Sequence, residues 1–199
     1  MRGAAVVVRR PGNAGAAAAA FVACCFVAVP EARAGELKAD PPRRFADCAA
    51  IRDARRLDIP LHRPGIAARR CAIAPGVWFA VLSDDTASWP VVRDGPRAPV
   101  ASLEDPVARR QWFADASPLR VSAARGDALV VLRDARRAPR AAYYSAAADR
   151  ADAPGRIPAF VAVRIRPRPC LLGVSRDAGE ARRLAADEAG ACVPPVEPR

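Results

Sequence analysis

The sequence has one histidine, one lysine and one methionine in 199 residues, and several motif families are missing altogether. A lone histidine, His62, excludes centres built from several imidazoles, and no Cys-x-x-Cys pair is present to build a zinc ribbon. The phosphate-cradling patterns Gly-x-Gly-x-x-Gly and Gly-x-x-x-x-Gly-Lys are absent, as is the Gly-x-Ser-x-Gly nucleophile elbow. We therefore expect no metal and no cofactor. The chain also lacks a full membrane span: its longest apolar stretch, Ala14 to Val29, falls short of the ~20 residues that cross a bilayer.

That stretch has another use. Arg2, Arg9 and Arg10 precede it and Ala32-Arg33-Ala34 follows, which is the tripartite pattern of a secretory signal with cleavage before Gly35. An uncleaved N-terminal anchor is the alternative. Cys24 has a faintly lipoprotein-like setting, but the apolar run continues past it where a polar tether is expected. Removal of residues 1–34 lowers the formal charge from +11 to +8 and leaves a chain of one-domain size, 35–199, with short flexible ends. Arginine carries the charge, since Lys38 is the only lysine.

The 35–199 portion retains Cys48, Cys71, Cys170 and Cys192, an even number that favours two disulfides in an exported chain. The pairing is suggested by the C-terminal region. Val161, Val163 and Ile165 alternate with Ala162, Arg164 and Arg166, as in a strand with one buried face. Arg166-Pro167-Arg168-Pro169 breaks the run, and Cys170 to Val174 returns as the second strand of a hairpin. Asp177-Ala178-Gly179-Glu180 then has capping-box spacing and predicts a helix carrying Ala181, Leu184 and Ala185 on one face. Four cysteines allow three connectivities and sequence alone does not choose among them, but a helix folded back on its strand favours Cys170 with Cys192, leaving Cys48 for Cys71.

Earlier in the chain, Asp40-Pro41 has the form of a helix start, and the spacing of Phe45, Cys48 and Ile51 predicts a helix to about Leu57. Val77 to Leu82 is a continuous apolar run, expected as a central strand covered on both faces. Its neighbours Trp78 and Phe79 point to opposite sides, so both are buried only if both faces are covered. Trp89 to Val92 predicts another strand before the turn Asp94-Gly95-Pro96. Asp105-Pro106 predicts a helix of about eight residues capped by Asp105. Leu119 to Ala123 and Ala128 to Leu132 predict a hairpin turning at Arg125-Gly126-Asp127. Ala141 to Ala147 has no clear period. Together these segments predict an α+β fold, a small antiparallel sheet of hairpins with an N-terminal and a C-terminal helix packed on it.

Two arginine groups are candidate anion-binding residues: Arg133, Arg136, Arg137 and Arg140, and Arg164, Arg166 and Arg168. An alanine-, arginine- and proline-rich composition also follows from base composition alone, so the charge needs a spatial test. For hydrolysis, His62 with Ser83, Asp84 or Asp85 is the available set, but no spacing joins them. Paired carboxylates for glycoside chemistry have no marked pair, and Arg125-Gly126-Asp127 resembles an adhesion tripeptide only by its letters. The expectation is an exported, non-catalytic binding or structural module of the cell envelope, periplasmic or secreted. The alternatives are a cofactor-free envelope hydrolase and an arginine-mediated binder of anionic lipid or cell-wall polymer. Nucleic acid is not an expected partner.

Overall fold

The computed structural model describes residues 36–52, 57, 66–116, 118–150, 152 and 154–195. The signal-like segment and His62 lie outside them.

Eleven short strands among these residues form two antiparallel sheets. The five-stranded sheet runs in chain order: β3 (Ala49–Ile51), β4 (Ala67–Ala74), β5 (Val77–Ser83), β6 (Ser88–Asp94) and β7 (Val100–Ser102). The six-stranded sheet is ordered β1 (Lys38–Ala39), β8 (Ala128–Arg133), β9 (Pro139–Asp149), β10 (Arg156–Arg164) and β11 (Cys170–Ser175). β2 (Arg43–Arg44) also pairs with β8. The helices are α1 (Glu104–Ala108) and α2 (Ala178–Ala186).

The expected α+β architecture is thereby corrected to a mostly β one. The N-terminal helix is replaced by β1, β2, a 3-10 turn over Phe45–Asp47 and β3. A helix here would bury only a narrow stripe. Extended pairing instead satisfies backbone groups along β8 and β4, seats Phe45 in the core at 0% exposure and carries Cys48 to Cys71. α1 has five residues rather than eight, and Asp105 does not cap it: Leu103 holds that position and Asp105 pairs with Arg109 at 3.0 Å. The predicted 119–132 hairpin does not form either. Arg120 pairs with Ala147 in an isolated bridge, and a 3-10 turn over Ala123–Arg125 leads into β8, which pairs with β9.

Alternation explains the layers. In β8, β9 and β10, Leu129, Val131, Ala142, Tyr144, Ala146, Val161 and Val163 join one core with Val77, Phe79 and Val81 of β5. Phe79 meets Tyr144 edge-on at 5.5 Å between ring centres, and Phe45 meets it at 6.0 Å. The intervening residues Leu132, Ala141, Ala162 and Leu172 face the other way and form a second cluster with Leu37 and Ala185 of α2. Gly173 leaves room for Leu184 of the helix, since a Cβ there would lie a tight 3.1 Å from Leu184 Cδ1. β5 is buried from Val77 through Leu82, with Trp78 and Phe79 at 9% and 0% exposure, as its unbroken apolar run predicts.

The C-terminal region follows its predicted logic. β10 and β11 form a hairpin, and Asp177 caps α2 by accepting from Glu180 N at 2.7 Å. The bridges are Cys48–Cys71 and Cys170–Cys192, with Cα atoms 4.8 and 5.8 Å apart. Each closes a loop of just over twenty residues, worth about 3 kcal/mol if loop entropy dominates. Disulfides are compatible with an extracellular or periplasmic location. No helix among the described residues is long and apolar enough to cross a membrane.

Candidate functional site: an arginine-rich end

Antiparallel pairing sends the β4–β5, β6–β7, β8–β9 and β10–β11 turns to the same end of the two sheets. Hydrogen bonds tie them together. Gly95 N donates to Gly76 O at 3.1 Å, Ile165 N donates to Arg140 O at 2.8 Å, and Arg133 reaches Ile73 O at 2.9 Å. Arg166 closes the set by pairing with Asp94. Gly76 is required where the first two turns touch: its φ is +72°, and a Cβ there would sit 2.5 Å from Pro96 Cδ.

Nine arginines stand in or beside these turns: Arg93 and Arg97 from β6–β7, Arg133, Arg136, Arg137 and Arg140 from β8–β9, and Arg164, Arg166 and Arg168 from β10–β11. Only Asp94 and Asp134 oppose them within the same turns. The two arginine groups separated in sequence are thus neighbours, and Arg93 and Arg97 join them from the second sheet. The sequence marked Asp94-Gly95-Pro96 as a turn, but only the strand order places that turn beside the others.

Some of these side chains are structural. Arg133 pairs with Asp40 at 2.8 Å and also donates to Arg137 O. Arg140 lies 3.8 Å from Glu188, and Arg164 donates to Gly190 O and approaches Cys192 Sγ at 3.8 Å. Arg93 fastens its own turn through Gly95 O and Pro96 O. Arg97, Arg136, Arg137 and Arg168 are exposed at the tips. Prolines 75, 96, 99, 139, 167 and 169 stiffen the same turns, so these charges stand on a scaffold with little entropy left to lose.

The opposite end is balanced differently. Four of its described arginines face carboxylates: Arg125 meets Asp127, Arg150 meets Asp152, Arg156 meets Asp149 and Arg176 meets Asp115, all between 2.9 and 3.5 Å. Asp84 and Asp85 add further negative charge in the β5–β6 turn. Among the described residues, charge is lopsided along the strands.

The other candidates are absorbed by the fold. Asp84 Oδ1 accepts from Thr86 N, Thr86 Oγ1 and Ala87 N, while Ser83 Oγ bonds Ser88 Oγ at 2.8 Å. Asp127 of the adhesion-like tripeptide is buried, accepting from Ser122 N at 2.7 Å and from Arg125. Among the described residues, no three His, Cys, Asp or Glu side chains gather as a metal site. A side cleft of about 390 Å³ between Asp40, Asp47, Arg43 and Arg133 mixes both signs of charge. Tyr144 is buried between the sheets with its hydroxyl unpaired among the described residues, and burial pushes its phenol well above the ordinary range. No protein-family model, no curated protein and no solved structure matches this chain.

Proposed function

We propose that this chain is an exported, non-catalytic binding module of the cell envelope whose working surface is the arginine-rich end. The observation that carries the reading is the contrast between the two ends. Among the described residues, nine arginines stand in or beside three hydrogen-bonded turns at one end with three of them paired to carboxylates, whereas four arginines at the other end each meet a carboxylate. A composition rich in arginine explains abundance but not this segregation. Guanidinium groups present several fixed donors and suit phosphate and carboxylate partners. The signal-like start and the two bridges support a location outside the reducing cytoplasm.

The test is to express the full chain, fractionate cells and alkylate free thiols at lysis. The reading expects a product shortened by about 34 residues, in the extracytoplasmic fraction, with Cys48, Cys71, Cys170 and Cys192 unmodified until reduced. A full-length cytosolic product in which Cys48, Cys71, Cys170 and Cys192 are all reactive overturns it.

A further inference from the structure

We propose that the arginine-rich end docks on the surface of an anionic phospholipid bilayer, with the strands directed away from it. This rests on the reading of the chain as an exported anion-binding module and names its partner.

Three observations favour a lipid surface. The first is shape. The exposed charges stand on turn tips contributed by both sheets, which lie ~10 Å apart, so they spread over an area rather than along a line. A hollow beside these turns, bounded by Arg140, Arg164 and Glu188, offers only about 30 Å³, and the larger cleft of about 390 Å³ beside Arg133 is lined by Asp40 and Asp47 as well, so neither is a purely basic seat for a small anion. The second is added charge. Lys38 pairs with Arg133 at the end of β8, so β1 begins at the arginine-rich end. Lys38 is exposed and adds a further cation there. The third is tip composition. Pro75, Gly76, Pro96, Arg97, Ala135, Arg136, Pro167 and Arg168 are exposed and include no large apolar or aromatic side chain for insertion. Attachment is therefore peripheral and electrostatic, with the balanced opposite end facing solvent.

The experiment uses the 35–199 chain in co-sedimentation with vesicles of phosphatidylcholine, with and without phosphatidylglycerol. The expected result is binding only to the anionic vesicles, weakening steeply as salt rises. Each arginine near such a surface contributes about 1 kcal/mol, so a triple variant, Arg97→Gln, Arg136→Gln and Arg168→Gln, should bind roughly a hundredfold more weakly. These side chains have no partner among the described residues, so the variant should keep both disulfides and its thermal transition. A control removes the same charge from the other end, with Arg150→Gln, Arg156→Gln and Arg176→Gln, and should bind as the parent does. Equal loss in both variants overturns the proposal, because it shows net charge rather than the arginine-rich end at work. Binding to soluble polyphosphate or anionic cell-wall polymer without binding to vesicles overturns the lipid assignment and leaves the anion-binding reading standing. Binding to none of these overturns both.

Discussion

Tyr144 shows how single residues set the stability of this fold. Its ring fills the space between the sheets against Phe45 and Phe79, but its hydroxyl has no partner among the described residues. Leaving such a group unpaired costs about 1–3 kcal/mol. Tyr144→Phe keeps the edge-on contacts and removes that cost, so chemical denaturation should show a gain of about 1 kcal/mol or more. The pH dependence has a definite sign. Burial raises the folded-state pKa above the ordinary 10.0, so the unfolded chain releases its proton first as pH rises. Stability should therefore be unaffected by this group below about pH 10 and fall by roughly 1.4 kcal/mol per pH unit above it. Tyr144→Phe should flatten that alkaline decline relative to the parent; an equally steep decline in the variant would assign it to other groups.

Among the elements, the two bridges differ in setting. Cys48 and Cys71 are buried at 6% and 1% exposure and join the extended N-terminal segment to β4. Cys192 is exposed, so an attacking thiolate reaches its sulfur without opening the core. Under rising reductant, Cys170–Cys192 should open first, read by thiol labelling and peptide mapping. Earlier labelling of Cys48 and Cys71 would contradict this ordering.

The same elements show what local sequence carries and what it does not. The β10–β11–α2 unit was legible because alternation, a proline break and the cap Asp177 all agree within about thirty residues. β5 was legible because a strand buried on both faces leaves an unbroken apolar run. Residues 40–51 misled, since Asp40-Pro41 and the spacing of Phe45, Cys48 and Ile51 satisfy a local helix rule. Their backbone instead pairs with β8 and β4, which lie far along the chain. β9 was obscured by its composition: alanine at most inward and outward positions gives little alternation, although it is the longest strand.

At the scale of the whole fold, the lopsided charge of the described residues is a product of topology. Four hairpin turns share an end because the strands between them alternate in direction, and three of the four carry arginine. The sequence showed two basic groups, yet gave no means of telling that they adjoin or that Arg93 and Arg97 complete them. It equally hid that four described arginines at the far end pair with Asp115, Asp127, Asp149 and Asp152.

Amide hydrogen exchange of the 35–199 chain, with and without anionic vesicles at low salt, reads out directly which end engages. The account predicts added protection in the turns at 75–76, 95–99, 134–138 and 166–169, with none in the 84–87 and 154–155 turns at the other end. Protection confined to that other end, or no change anywhere despite bound protein, would contradict it.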